Sequence, residues 1–283
     1  MAKLVYICNK QIYFTMFDIK GKVGVITGGY GVLGASMARC LAQQGMHIAI
    51  VGRKPEKGEP LAAELSEIGA EAIFCQADVL DREALVAARE TIVAKWGHID
   101  VLINAAGGNM PGATIMPDKS FLDIDFAAFN GVMNLNLMGT VIPTVVFGEQ
   151  MAKQKKGSII NISSMTAQSV VTRVVGYSAS KAAIDNFTRW MAVEMAKKVG
   201  EGVRVNAIAP GFFITEQNRT LMTNPDGSLS DRAKDVVRAT PFGRLGEADE
   251  LHGAVVFYAS DASKFVTGTI LPVDGGFSIF SGV

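Results

Sequence analysis

The stretch Thr27-Gly28-Gly29-Tyr30-Gly31-Val32-Leu33-Gly34 decides the fold, because its closely spaced glycines join an apolar strand to a helical segment. Glycine allows a sharp turn and lets a phosphate approach the main chain closely. The following helix would direct its free N–H groups and the positive end of its dipole at that phosphate. A G-x-G-x-x-G pattern alone is weak, but the strand before it and the helix after it favour dinucleotide binding over a structural turn. A Walker-type phosphate loop is excluded, because the Lys-Ser/Thr pair is absent.

Apolar, β-rich runs alternate with segments of helical period along the rest of the chain. The predicted strands are Val23–Thr27, Ile48–Val51, Ala72–Cys75, Val101–Asn104, Ser158–Ile162, Val203–Ile208 and Thr269–Val273. The predicted helices span residues 32–45, 56–69, 82–97, 126–154, 176–199 and 247–259. Continuously apolar strands that alternate with helices are typical of parallel strands covered on both faces. The sequence therefore predicts an α/β fold, a single-domain Rossmann-type doubly wound parallel sheet of about seven strands.

The same pattern predicts the domain organisation. We expect residues 1–16 to form an N-terminal tail and residues 17–283 to form one dinucleotide-binding catalytic domain. Residues 212–240 interrupt the alternation with aromatic and polar side chains. We expect this segment to be a substrate lid, because long irregular connections in compact domains often cover a site.

Composition narrows the classes of partner. The 283 residues are 49% hydrophobic and 19% charged, which predicts a folded chain with a large core. Lys plus Arg and Asp plus Glu number 27 each, so charge gives no reason to expect a nucleic acid or an anionic membrane as partner. We also expect no apolar run of the roughly 18 residues that span a bilayer. Cys8, Cys40 and Cys75 lack metal-ligand spacing, which predicts no metal site and a reducing, cytoplasmic location.

The end of the second predicted strand bears on the choice between NAD and NADP. An acidic residue about twenty positions after the glycines normally binds the ribose 2′-hydroxyl of NAD. This sequence has Val51-Gly52-Arg53-Lys54 there, with two cations and no carboxylate. The pattern favours NADP, with Arg53 near the 2′-phosphate, and leaves NAD open. A solvated basic loop is the alternative interpretation.

Tyr177 and Lys181 are candidates for acid/base chemistry. A spacing of four residues places both side chains on one face of a helix, one turn apart. A free tyrosine has a pKa near ~10, and a nearby ammonium group favours the phenolate. We therefore expect Lys181, together with the positively charged nicotinamide of a bound cofactor, to lower the pKa of Tyr177 toward neutrality. A tyrosine and a lysine at this spacing on a surface helix would otherwise carry no function.

Further motifs occur in a fixed order. They are Thr27-Gly28 with Gly34, Asp78, Asn104-Ala105-Ala106-Gly107, Asn136-Leu137-Met138-Gly139, Ser163-Ser164, Tyr177 with Lys181, and Pro210-Gly211. Through these motifs the chain resembles the short-chain dehydrogenase/reductase family. The resemblance covers nearly its whole length, from about Phe17 to Val283. The resemblance implies an NAD(P)-dependent enzyme that acts on CH–OH groups. It also implies a homodimer or homotetramer, paired through helices 126–154 and 176–199.

The resemblance implies the catalytic set Asn136, Ser164, Tyr177 and Lys181. Ser164 would hydrogen-bond the substrate oxygen and steady the developing alkoxide. Tyr177 would give or take the proton, and Lys181 would bind the nicotinamide ribose. Asn136 would hold a water that links the lysine to bulk solvent.

The predicted cofactor-binding set combines the glycine-rich turn and Arg53 with positions that the resemblance implies. Asp78 would meet the adenine, Asn104 would lie beside the adenosine ribose, and Thr215 would meet the nicotinamide carboxamide or the phosphates. The whole set is Thr27, Gly28, Gly31, Leu33, Gly34, Arg53, Asp78, Asn104, Tyr177, Lys181, Pro210, Gly211 and Thr215.

Substrate-binding residues should follow the carboxyl ends of the strands. The candidates are Asn109, Met165, Arg173, Phe212 and Arg219. Either arginine could bind a carboxylate through two parallel hydrogen bonds. Each arginine could equally be a solvated surface residue.

Three stretches sharpen the resemblance, namely residues 106–109, 212–219 and 273–283. They are similar to the branch of the family known as D-mannonate oxidoreductases, or fructuronate reductases. That resemblance implies a small-molecule substrate, a hexuronate sugar acid whose keto group is reduced. The alternatives are another carbonyl reductase, of the gluconate dehydrogenase or 3-oxoacyl reductase type, and a non-catalytic dinucleotide-binding sensor.

Overall fold

A computed structural model of the chain describes residues 16–215 and 218–282. The predicted N-terminal tail therefore lies outside the described residues, apart from Met16, and so does Cys8. Glu216 and Gln217, within the predicted lid, also lie outside them.

Seven parallel strands form one sheet, and this confirms the predicted fold class. The strand order is β3-β2-β1-β4-β5-β6-β7. In chain order the strands are β1 Val23–Thr27, β2 His47–Gly52, β3 Ala72–Gln76, β4 Val101–Asn104, β5 Gly157–Ile162, β6 Val203–Pro210 and β7 Ile270–Val273. Each predicted strand is present, with ends that differ by at most two residues.

Helices cover both faces of this sheet, so neighbouring strand residues enter two different cores. Ile26 packs into the core on one face, whereas Val25 packs into the core on the other. Both are fully buried, as is every residue of β1, β4, β5 and β6. This two-sided burial explains why the strands are continuously apolar rather than alternating.

Helices occupy each segment that the sequence predicts, and two further helices lie within the predicted lid. In chain order the helices are α1 Val32–Gln43, α2 Pro55–Glu67, α3 Arg82–Trp96, α4 Phe126–Met133, α5 Gly139–Gln154, α6 Val175–Lys198, α7 Arg219–Met222, α8 Asp231–Ala239 and α9 His252–Ala259. The predicted helix 247–259 differs at its start, where Ala248–Leu251 form a 3₁₀ turn before α9.

The predicted helix 126–154 contains an interruption that the sequence did not predict. Residues Asn134–Met138 wind as a π-helix between α4 and α5. The whole run Phe126–Gln154 is apolar enough and long enough to span a membrane, so the expectation that no such segment exists was wrong. Half of its most apolar window is buried inside the protein, and α5 packs against α3, β4 and β5. Its apolar character therefore serves the core.

The predicted lid, residues 212–240, contains two helices that were not predicted. The short helix α7 is followed by α8, whose first turn is capped by the Ser230 hydroxyl, which accepts the Ala233 N–H at 3.2 Å. Ala233 and Val236 of α8 pack with Met222 in a small core of their own. This separate core attaches the segment as a unit beside the carboxyl end of β6.

Candidate active site

A cavity of about 680 Å³ lies at the carboxyl ends of the central strands. β1 and β4 are neighbours in the sheet, and the chain leaves them in opposite directions along the strand order. Such a switch point opens a crevice where ligands of doubly wound sheets bind. The glycine-rich turn, the end of β5, the start of α6 and the lid all contribute to its wall.

The glycine-rich turn presents an uncapped helix end to the cavity. Gly28 has φ +63°, and a Cβ there would lie 2.7 Å from the Ala106 Cα, so glycine is required. Gly31 precedes α1 without a side-chain cap, and no acidic residue lies in the first turn. The N-terminal N–H groups of α1 are therefore left for a ligand, which fits the pyrophosphate of a dinucleotide.

Arg53 lies at the mouth of the same cavity, beside Asp78. The Arg53 Nη1 is 3.8 Å from the Asp78 Oδ2, and both side chains are partly exposed. The backbone N–H of Arg53 donates to the Tyr30 hydroxyl at 3.2 Å. A Cβ on Gly52 would lie 2.3 Å from the Tyr30 ring. The packing of Tyr30 thus excludes an acidic side chain at position 52, a feature that was not evident from the sequence.

Ser164, Tyr177 and Lys181 come together on one wall of the cavity. The Tyr177 hydroxyl is hydrogen-bonded to the Ser164 side chain. The Lys181 Nζ lies 5.4 Å from the centre of the Tyr177 ring and donates to the Ile162 carbonyl at 2.7 Å. Ser164 follows β5, whereas Tyr177 and Lys181 lie one turn apart on α6. The sequence predicted this grouping.

The protein's own groups do not lower the pKa of Tyr177, so the expected lowering stays a prediction for the complex with the nicotinamide. Burial raises the pKa of Tyr177 above its usual value of 10, and the hydrogen bond from Ser164 opposes this only in part. Burial also lowers the pKa of Lys181 to about 8, although the charge of Asp185 favours the ammonium form. Desolvation disfavours both charged forms, and a sequence pattern does not show it.

Asn136 does not line the cavity but lies directly behind it, fully buried. Its side-chain amide donates to the Gly108 carbonyl at 2.7 Å and to the Val132 carbonyl at 2.8 Å. Its Oδ1 accepts the Gly108 N–H at 3.0 Å. The π-helical turn carries Asn136 to this place, and π turns often occur at functional sites. Asn136 thereby fixes the loop that passes over Lys181.

Two predicted cofactor residues, Thr27 and Asn104, are buried instead of lining the cavity. Asn104 Nδ2 donates to Thr144 Oγ1 and to Asn161 Oδ1, each at 2.9 Å. Asn161 Nδ2 in turn donates to Thr188 Oγ1 at 2.9 Å. This polar ladder, Thr144–Asn104–Asn161–Thr188, joins β4 and β5 to α5 and α6. Asn104 therefore acts within the core in the described structure.

The arginines of the substrate end are arranged differently from the prediction. Arg219 is exposed on α7 and, like Arg173, is not part of the cavity wall. Arg232 on α8 does line the cavity, although it was not predicted. The sequence signal available for Arg232 was the Ser230 cap, which would have revealed α8 and its first turn.

The other predicted residues meet at the cavity. The cofactor candidates that line it are Gly28, Gly31, Leu33, Gly34, Arg53, Asp78, Tyr177, Lys181, Pro210, Gly211 and Thr215. The substrate candidates that line it are Asn109, Met165 and Phe212. Phe212 is held by an edge-to-face contact with Phe277, with ring centroids 5.2 Å apart.

Comparison with known proteins identifies the family. Residues 31–278 match the family model described as enoyl-(acyl carrier protein) reductase. The chain belongs to the short-chain dehydrogenase/reductase family. This short-chain dehydrogenase/reductase is 45% identical over 275 residues to an uncharacterized oxidoreductase, UxuB, of Bacillus subtilis, and the match covers 94% of this chain and 98% of the relative. It is an NAD(P)-dependent oxidoreductase of the kind that acts on CH–OH and keto groups.

Two solved structures resemble this short-chain dehydrogenase/reductase closely. One is provisionally described as a D-mannonate oxidoreductase from Haemophilus influenzae with bound NAD. It is 41% identical, has a TM-score of 0.87, and the match covers 94% of this chain and 98% of that one. The other is a gluconate 5-dehydrogenase from Burkholderia cenocepacia with NADP and tartrate. It is 32% identical, has a TM-score of 0.83, and the match covers 94% and 98% of the two chains.

Proposed function

We propose that this enzyme reduces the keto group of a hexuronate, D-fructuronate, to the corresponding sugar acid, D-mannonate. The observation that carries the proposal is the hydrogen-bonded pair Ser164 and Tyr177 on the same cavity wall as Lys181, opposite the uncapped end of α1. The hexuronate is suggested by the relative described as a D-mannonate oxidoreductase. The gluconate 5-dehydrogenase relative likewise acts, by its name, on a sugar acid.

The residues of this chain divide the chemistry between them. The nicotinamide supplies the hydride when it is bound. Ser164 donates a hydrogen bond to the keto oxygen and stabilises the negative charge that develops there. Tyr177 donates its proton to that oxygen, and the raised pKa of Tyr177 keeps the proton in place at neutral pH. Lys181 would bind the nicotinamide ribose, and Asn136 keeps the loop over Lys181 fixed.

The cofactor would bind along the glycine-rich turn, with its pyrophosphate at the N-terminus of α1. Asp78 would contact the adenine end, and Thr215 the nicotinamide end. NADP is the preferred cofactor in this proposal, because Arg53 is an exposed cation beside the ribose position and no carboxylate precedes it. The described relatives bind NAD in one case and NADP in the other.

Assembly and location complete the proposal. The outer faces of α5 and α6 expose large apolar side chains, including Val145, Trp190 and Val193, which are 50–59% exposed. A second copy of the chain is the proposed occupant of these faces, giving a homodimer or homotetramer. Light scattering coupled to gel filtration measures this directly, and a monomer at all concentrations would contradict it. Cys40 and Cys75 are free thiols, in keeping with a cytoplasmic enzyme.

The decisive experiment is an assay of reduced-nicotinamide oxidation with D-fructuronate, a 5-ketogluconate and a 3-oxoacyl thioester in parallel. We expect turnover to be fastest with D-fructuronate. Faster turnover of either other substrate would refute the hexuronate assignment. Cofactor binding without turnover of any substrate would indicate a sensor instead of an enzyme.

Variants test the roles of the catalytic residues. Tyr177→Phe should lower kcat by about 10²- to 10⁴-fold, because it removes the general acid. Ser164→Ala should lower kcat by roughly 10²- to 10³-fold, because it removes a donor to the developing negative charge. Tyr258→Phe is the matched control, since Tyr258 is a buried tyrosine on α9 whose hydroxyl contacts Thr269. Normal turnover in Tyr177→Phe would refute the proposed mechanism.

A further inference from the structure

Arg232 faces the substrate end of the cavity with much of its hydrogen-bonding capacity unused. It is the second residue of α8, half-buried, and it lines the same cavity as Ser164 and Tyr177. Its Nη1 and Nη2 donate to the hydroxyl and the carbonyl of Thr172 at 3.3 and 3.2 Å. A guanidinium has five N–H donors, so three of them make no hydrogen bond to the part of the chain that the structure describes. Among the described residues, Arg232 has no carboxylate within ion-pair distance.

A second cation lies beside Arg232. After burial, the charge of Arg173 is the next cause that lowers the pKa of Arg232, so the two guanidinium groups repel each other. Asp235 opposes this repulsion, but its carboxylate is paired with Arg238. A guanidinium that lines a cavity and has a second positive charge in its surroundings favours a negatively charged ligand.

The backbone of Arg173 adds a second observation. Arg173 has φ +78°, a left-handed conformation that is uncommon for a residue with a side chain. Its carbonyl accepts the N–H of Ile115 at 2.9 Å, which ties the loop after β4 to the loop before α6. Unfavourable backbone conformations of this kind cluster at ligand-binding sites, where the surrounding structure maintains them.

The charges along the cavity wall differ between its two ends. Among the described residues that line the cavity, Asp78 is the only carboxylate, and it lies at the cofactor mouth beside Arg53. Lys181 and Arg232 also line the cavity, Lys181 beside Tyr177 and Arg232 on the lid helix α8. An anionic group of a ligand is therefore directed toward Arg232, away from Asp78.

We propose that Arg232, supported by the charge of Arg173, binds the carboxylate of the substrate, so that the lid helix α8 itself supplies the specificity for sugar acids. This inference rests on the proposed function and names the residue responsible for its substrate class. The carboxylate accepts paired hydrogen bonds from the free N–H groups of Arg232 and replaces the repulsion between the two arginines with attraction. Arg219, which the sequence suggested for this role, stays at the surface.

The test is a binding measurement that does not depend on turnover. D-mannonate and its neutral analogue D-mannonamide are titrated by calorimetry into the enzyme saturated with reduced cofactor, a complex in which no reaction occurs. Wild-type enzyme should prefer the acid to the amide by about 10- to 100-fold, the worth of hydrogen bonds to a charged group. Arg232→Met should lose this preference, and Arg232→Lys should keep part of it. Lys234→Met, at an exposed position of the same helix, is the control and should behave as wild type.

Each other outcome has a distinct meaning. An Arg232→Met enzyme that still prefers the acid, or that loses the acid and the amide equally, overturns the role of Arg232. Binding of D-mannonate that depends on Arg232, without turnover of any hexuronate, overturns the proposed reaction alone. A wild-type enzyme that binds neither compound overturns both. Thermal melting and affinity for the reduced cofactor establish that each variant is folded.

Discussion

The substitution Gly107→Ala tests whether Asn136 maintains the catalytic wall. Gly107 lies outside the left-handed region, so alanine is compatible with its backbone. A Cβ there would lie 2.6 Å from the Asn136 Oδ1 and 3.5 Å from the Lys181 Nζ. Because ordinary contacts begin near 3.4 Å, the amide oxygen has to retreat by roughly 0.8 Å. The Gly108 N–H would then lose its acceptor.

The expected magnitude follows from the hydrogen bonds that this movement disturbs. Asn136 makes three buried hydrogen bonds, and losing one or two of them costs about 1–3 kcal/mol in the free energy of unfolding. For a chain of this size that cost lowers Tm by roughly 2–6 °C. A displacement of this order beside Lys181 should lower kcat by about 10- to 100-fold, since a 1 Å misplacement can have such an effect.

Calorimetric melting and steady-state reduction of D-fructuronate measure these two effects. Gly253→Ala is the matched control, because no atom lies within 4 Å of the Cβ that it adds to α9. That control should melt at the same temperature as wild type or slightly higher, since alanine favours a helix. If Gly107→Ala melts and turns over like Gly253→Ala, the structural role assigned to Asn136 is refuted.

Two further predictions concern pH and cofactor. The pKa of Lys181 is about 8 in the folded chain, against 10.5 ordinarily. Between these two pH values the unfolded chain binds more protons than the folded chain, so the free energy of unfolding rises with pH. Lys181 contributes up to about 3 kcal/mol to this rise. Urea unfolding between pH 8 and 10 should show this rise in wild type and a flatter profile in Lys181→Met; equal slopes would contradict the burial argument. Tyr177, whose pKa is raised, opposes the rise only above pH 10. Arg53→Ala should lower kcat/KM for NADPH about tenfold, or ~1.4 kcal/mol, and leave kcat/KM for NADH unchanged. An equal loss of kcat/KM with both cofactors would place Arg53 away from the 2′-phosphate.

The sequence was sufficient for the sheet and for the main catalytic wall. The strands were predicted to within two residues, and the central strands β1, β4, β5 and β6 are largely apolar because they are buried on both faces. Tyr177 and Lys181 were predicted to meet because their spacing places them on one helix face, and Ser164 was added to them by the family resemblance.

Properties that depend on tertiary packing were not predictable. The burial that raises the pKa of Tyr177 and the polar partners that draw Asn104 into the core have no local signal. The π-helical turn around Asn136 was also missed, because helical periodicity continues on either side of it. Arg232 was overlooked since the helix that carries it is short and lies in a segment read as irregular.

The polar ladder Thr144–Asn104–Asn161–Thr188 has a consequence for how rapidly the enzyme can act. Sliding α5 or α6 by one residue would leave buried amide or hydroxyl groups unpaired, at about 1–3 kcal/mol for each. Neighbouring registers of the two helices are therefore scarcely populated at ordinary temperature. The entropy of aligning the proton donor with its supporting groups is lost once, when the chain folds, and need not be lost again in each turnover.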